Sequence, residues 1–140
     1  MIKLNNVVEV FIPEADNEGN EIKNFHIDTS VTKMTKLVGG ATVYEARGEW
    51  ISQVREEVNE HFTSVLDRTM KDDVKIYQWY YDKAGTEHVR HIRRIVKALI
   101  LDEGQEAVSI KVNGTLYIVE PSDIEEGRGG NLVNTLLTIM

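Results

Sequence analysis

EAVSIKVNGTLYIVE, residues 106–120, decides the fold. Two runs of alternating apolar and polar residues flank Asn113-Gly114, the dipeptide that best accepts the two positive φ angles of a type I′ turn. The pattern predicts an antiparallel hairpin with Val108, Ile110 and Val112 on the same face as Val119, Tyr117 and Thr115. Pro121, which has no N–H to give to a ladder, closes it.

Working back from the hairpin, Gly104 ends a helical pattern over 87–103, which Thr86 can cap. Val89, Ile92, Ile95, Val96 and Leu99 form its apolar stripe; Arg90, Arg93 and Lys97 face the other way, with Arg94 beside them. KIYQWYY, 75–81, reads as a strand rich in aromatics. WISQVREEVNEHFTSVL, 50–66, is ambiguous. Trp50, Ile51, Val54, Val58, Phe62, Val65 and Leu66 match helical spacing, so periodicity alone favours a helix, while HFTSVL is good strand material. ATVYEARG, 41–48, reads as a strand. Before it, Thr29 or Ser30 can cap a short helix carrying Val31, Met34, Leu37 and Val38, stopped by Gly39-Gly40. VVEVFI, 7–12, is a strand ended by Pro13. The order is β, α, β, (α or β), β, α, β, β. The expected fold class is α+β: a mainly antiparallel sheet with one or two helices on a face.

The chain has 140 residues, 41% hydrophobic and 28% charged, enough for one domain with its own core. We expect a single α+β domain over 1–126 and a glycine-hinged tail over 127–140. Without cysteine, disulfide and thiolate chemistry are excluded, and a zinc site would need histidines and carboxylates. A net charge of −7 argues against a DNA or RNA partner, whose phosphates favour a basic footprint. No run of eighteen apolar residues exists, so no membrane span is expected. MIKLNNVVEVFIPE lacks the features of a signal peptide, and a cytoplasmic location is the expectation.

Against that acidic total, HVRHIRRIVK, 88–97, gathers four of the sixteen Lys/Arg residues and two of the four histidines. A solvated helix face is one reading. The order of charge suggests another. Cations near a helix N-terminus oppose the macrodipole, as carboxylates at its C-terminal end do. Here His88, Arg90 and His91 sit early, and Asp102 and Glu103 sit late. An anionic ligand near that N-terminus would gain from free N–H groups and arginines together. A metal held by His88 and His91, with Glu87 adjacent, is a third reading that lacks an obvious further ligand. His26 and His61 have no motif around them.

Tyr77, Trp79, Tyr80 and Tyr81 place four of the chain's ten aromatics in five positions. They are either core packing on one strand face or a stacking platform for a base. In GRGGN, 127–131, backbone N–H groups and Arg128 could meet a phosphate, or the glycines could be a plain hinge. The tail NLVNTLLTIM is apolar enough to need cover, and we expect it to pack on another protomer of a homo-oligomer. No catalytic constellation emerges, and Glu56, Glu57 and Glu60 fit a solvated face.

DEGQEAVSIKVNGTLYIVE, 102–120, and GGATVYEARGEW, 39–50, resemble segments of small α+β proteins encoded by bacteriophages, prophages and bacteria. In such relatives the segment after Gly-x-Trp is a strand, which implies β for HFTSVL. The layout is similar to that of phage sponge proteins that inhibit Thoeris defence. The resemblance implies a non-enzymatic oligomer that binds cyclic ADP-ribose isomers between protomers through aromatic and arginine side chains.

The reading that follows is a binding protein, with no cofactor, that sequesters a small phosphorylated nucleotide. Trp79, Tyr81, His88, Arg90, Arg93, Arg94 and Arg128 are its expected ligand-binding residues. The alternatives are a metal-assisted phosphoester hydrolase using His88 and His91, or an inhibitor that docks through the apolar tail.

Overall fold

In the computed structural model, residues 1–59, 62–124 and 131–140 are described, 50–59 and 62–71 by their backbone alone. The elements are β1 (Asn6–Pro13), α1 (Phe25–Val38), β2 (Thr42–Asn59), β3 (Phe62–Tyr81), α2 (Thr86–Leu101), β4 (Val108–Val112), β5 (Thr115–Val119), α3 (Pro121–Ile124) and α4 (Leu132–Ile139). The five strands form an antiparallel sheet in the order β2-β3-β1-β4-β5. This is the expected α+β class.

The hairpin is as its sequence dictates. Val108 pairs with Val119, Ile110 with Tyr117 and Val112 with Thr115. Asn113 and Gly114 take φ of 50° and 88°. Asn113 is pinned by its own backbone N–H, which donates to the Val7 carbonyl, and by its side-chain oxygen, which accepts from the Val7 N–H.

The ambiguity over 50–66 resolves to strand, against the periodicity reading and as the resemblance implies for HFTSVL. β2 runs unbroken to Asn59, and β3 starts at Phe62. Positions four apart share a strand face as well as a helix face, so Val54, Val58, Phe62 and Leu66 could not separate the two. The β-rich composition of HFTSVL and the cross-strand partner decide it: Trp50 pairs with Met70, and Val54 with Leu66.

α1 starts earlier than expected. Asn24, not Thr29 or Ser30, caps it, its side-chain oxygen accepting from the N–H of His26 at 2.9 Å and of Ile27 at 3.3 Å. Phe25 and His26 interrupt the apolar stripe and hide the first turn from a periodicity reading. Gly39 ends the helix at φ 97°, as the double glycine indicates. α2 buries Val89, Ile92, Ile95, Val96, Ala98, Leu99 and Ile100, which includes the whole expected stripe. Its cap is Gly85 rather than Thr86.

The core lies between the helices and one sheet face. Val8, Val10, Trp79, Ile110 and Val112 come from the strands, and Met34, Ile92, Ile95 and Leu99 from the helices. α4 completes this layer. Leu132 and Leu136 are buried, and the Tyr81 hydroxyl donates to the Met140 carbonyl at 3.3 Å. In the single chain the apolar tail therefore covers its own α2 and β4–β5 rather than hanging free. The hinge 127–130 lies outside the described residues.

Candidate functional site

The site begins where Pro13 stops β1. The following residues loop back on themselves: Ala15 bridges Glu21, and the Asp16 carboxylate accepts from the N–H groups of Glu18 and Asn20, both at 2.9 Å. Those backbone donors, Asn20 first, hold the Asp16 carboxyl below its usual range. Gly19, at φ 85°, lets the loop turn. Asn17 ties it to the end of α2 by donating to the Gly104 carbonyl at 3.2 Å.

Between this loop, α1 and β3 lies an open cleft of about 420 Å³, a size typical of small-molecule sites. Its apolar wall is Ile12, Ile22, Ile27 and Val31. Tyr77 lies at its β3 side, half-buried and stacked on Trp79 at 5.7 Å between ring centroids. Among the described residues of the lining, Glu14, Glu21 and Asp28 supply carboxylates and Lys75 the one cation. Such a set accepts hydroxyl and amine donors, sets an aromatic face beside them, and repels added negative charge.

The sequence-derived candidates fall elsewhere. Trp79 is wholly buried, its indole N–H donating to Thr35 Oγ1 at 3.0 Å. Tyr81 is 2% exposed, and burial pushes its phenol pKa up. The core-packing alternative is thus the one these two rings follow, because an enclosed ring has no face for a base. Tyr77, on the same strand face, is the ring that meets a cavity. Its place beside the free end of α1 could not be read from alternation alone.

His88 is half-buried. Its Nδ1 accepts from the Gly85 N–H at 3.0 Å, and its ring lies 6.1 Å from that of Tyr81. Burial lowers its pKa, with Glu87 opposing. His91 is lowered for the same first reason, and Arg94, Lys33 and His88 add to it against Glu87. Arg90 and Arg94 are exposed and Arg93 half-buried on α2. None of these lines the cleft or a smaller cavity of about 180 Å³ under α4. Among the described residues, no three histidine, aspartate or glutamate side chains gather around one metal position. Arg128 lies outside the described residues.

The reversed charge order of α2 has a cause inside the fold. α1 packs antiparallel to α2. Asn24, at the start of α1, donates through Nδ2 to Asp102 at 3.2 Å and Glu103 at 3.1 Å, while Lys33 lies near His91 further along. The carboxylates that oppose the α2 dipole sit at the positive end of α1, where they are favoured.

The chain shares its fold with phage SAM lyase structures. One, in complex with S-methyl-5′-thioadenosine, matches at a TM-score of 0.51 and 13% identity, covering 89% of this chain and 98% of that one. The apo state matches at 0.50 and 12%, covering 86% and 94%. No family model and no curated protein matches the chain. At such identities the likeness is one of fold.

Proposed function

We propose that this chain is a phage-derived binding module that takes a nucleoside-type small molecule in the cleft beside Tyr77 and so counters a nucleotide-based host defence. The carrying observation is the cleft itself: an aromatic ring, an apolar wall and carboxylates suited to ribose hydroxyls and an exocyclic amine. The fold neighbour that holds S-methyl-5′-thioadenosine supports a ligand of this class. Binding in this way removes a signal without breaking a bond. The module works in the host cytoplasm as a homo-oligomer. The tail 127–140, exchanged between protomers, would keep its Leu132 and Leu136 contacts on a partner's core.

Cleft charge bears on the ligand. Three carboxylates against one lysine favour a neutral or cationic nucleoside over a pyrophosphate such as cyclic ADP-ribose. A phosphorylated ligand has a second place to go: Arg94 and Lys33 lie near His91 along the α1–α2 surface, with Arg90 and Arg93 on the same helix, and a second protomer against it would turn that surface into a pocket. Arg128 would then serve from a neighbouring copy.

Calorimetric titration with adenosine, S-methyl-5′-thioadenosine and cyclic ADP-ribose tests both. The cleft reading expects the first two to bind, and Tyr77→Leu to weaken them about 5- to 150-fold, the worth of one base–aromatic stack. Heat release followed by chromatography should return the ligand intact. Binding of cyclic ADP-ribose alone, abolished by Arg90→Ala with Arg94→Ala, would move the site to the helix surface. Recovery of a cleaved product would make the chain an enzyme. No heat with any of the three would sink the cleft reading.

A further inference from the structure

All the packed helices cover one face of the sheet. The other face carries Val7, Glu9 and Phe11 of β1, Tyr44 of β2, Ile76, Gln78 and Tyr80 of β3, and Leu116 and Ile118 of β5, placed together by the strand register. Tyr44, Tyr80, Leu116 and Ile118 are 41–59% exposed there. Its one carboxylate is already satisfied. Glu9, 9% exposed, accepts from the Tyr44 hydroxyl and from Gln78 Nε2. Lys111 of β4, half-buried between Glu9 and Leu116 by register, is the cation of this face, and its long side chain can carry the ammonium to the edge of a covering partner.

The same chain has a second uncovered surface. β1 stops pairing with β3 at Pro13 opposite Val74, whereas β2 and β3 stay paired out to Asn59 and Phe62. About twelve residues of each strand thus project as a two-stranded ribbon, roughly 40 Å long at 3.3 Å per residue. A two-stranded ribbon alone is marginal in water. By register, the pairs Gly48–Asp72, Trp50–Met70, Ser52–Arg68 and Val54–Leu66 fall on the ribbon face that continues the helix-free face from Tyr44 and Ile76, two apolar pairs alternating with two that each carry one charge.

We infer that the helix-free sheet face and the β2–β3 ribbon together form an interface that closes on a second copy of this chain. The ribbon extends its own sheet in register, and among the described residues the only irregularity lies near its tip, between Glu57 and Asn59. It therefore cannot fold back on its own sheet face, while the equivalent face of another copy is open to it. Ribbon and sheet face each offer on the order of 400 Å², from strands about 4.8 Å apart. A copy that gives one ribbon and receives one buries about 800 Å², the per-partner area of a stable interface.

Light scattering during size exclusion at about 100 μM tests this. The intact chain should show at least twice its 15.9 kDa mass. Leu116→Glu with Ile118→Glu alters exposed positions only, and should give 15.9 kDa with an unchanged far-UV spectrum. A chain with 50–70 replaced by Asn-Gly should likewise run at its own, smaller monomer mass. Hydrogen exchange on the intact chain reads the ribbon directly: its amides should be protected at that concentration and lose protection in the double glutamate variant. A monomeric intact chain, an assembly that survives both variants, or ribbon amides indifferent to the glutamates would overturn the inference.

Discussion

Asn24→Ala probes how α1 and α2 are joined. The Asn24 side chain does two things at once: its oxygen caps α1, and its Nδ2 reaches Asp102 and Glu103 at the end of α2. Loss of an asparagine cap to alanine costs about 1 kcal/mol. The two hydrogen bonds to carboxylates lie near the surface, so each adds only about 0.5 kcal/mol. The expected loss is about 2 kcal/mol, or a fall in Tm of roughly 6–8 °C for a chain of this size. Asn24→Asp separates the contributions. It keeps an acceptor for the cap and suits the helix dipole, but it sets a third carboxylate beside Asp102 and Glu103. At low salt it should fall between asparagine and alanine, and added salt should narrow its gap to the native chain. Urea unfolding at two ionic strengths checks both. If aspartate equals asparagine at low salt, the contact between helix ends contributes nothing; if alanine costs under 0.5 kcal/mol, the cap does not matter either.

Other outcomes follow from the same structure. Burial lowers the pKa of His88 and His91. The folded state then holds fewer protons than the unfolded one, and stability should fall as pH drops through the ordinary histidine value near 6.5. His88→Gln with His91→Gln should flatten that slope in urea unfolding at pH 5.5 and 7.5. Tyr44, whose hydroxyl donates to Glu9, has its pKa raised to about 12. Ultraviolet titration should show late tyrosines, Tyr44 beside the buried Tyr81, of which Glu9→Gln brings only Tyr44 earlier. Leu136 is fully buried, so Leu136→Ala should cost about 2–5 kcal/mol; if the tail is exchanged, native Tm should also rise with protein concentration. Gly114→Ala, at φ 88°, should cost about 1 kcal/mol or more without changing the helical signal.

What could be read in the sequence depended on whether a residue's neighbours were local. The 106–120 hairpin was legible in full, because its register follows from Asn113-Gly114 and an alternation of period two. So was the apolar stripe of α2. The long β2–β3 pair was not legible, because its apolar spacing of four fits both periods and its pairing partner lies on the next strand. The cleft was invisible for a similar reason. Glu14, Glu21, Asp28, Lys75 and Tyr77 come from a loop, a helix end and a strand that only the sheet order brings together. Alternation sets Tyr77, Trp79 and Tyr81 on one face and Tyr80 on the other, but it cannot say that α1 and α4 close over Trp79 and Tyr81 and leave Tyr77 at an opening.

The arginine-rich helix shows how a local anomaly can have a non-local cause. On α2 alone, late carboxylates and early cations look like stability given up for a ligand. With α1 lying antiparallel, Asp102 and Glu103 gain from the α1 N-terminus through Asn24. Half of the anomaly then needs no ligand. The other half persists: His91 lies near Arg94 and Lys33, with Glu87 as its nearby counter-charge, and Arg90 is exposed on the same helix. Like charges gathered on a surface repel by an amount that salt screens. If this cluster serves no anion, Arg94→Gln should stabilise the chain slightly at low salt and not at high salt. If it binds one, phosphate or sulfate should raise Tm at millimolar levels where chloride does not, and the same variant should abolish the rise.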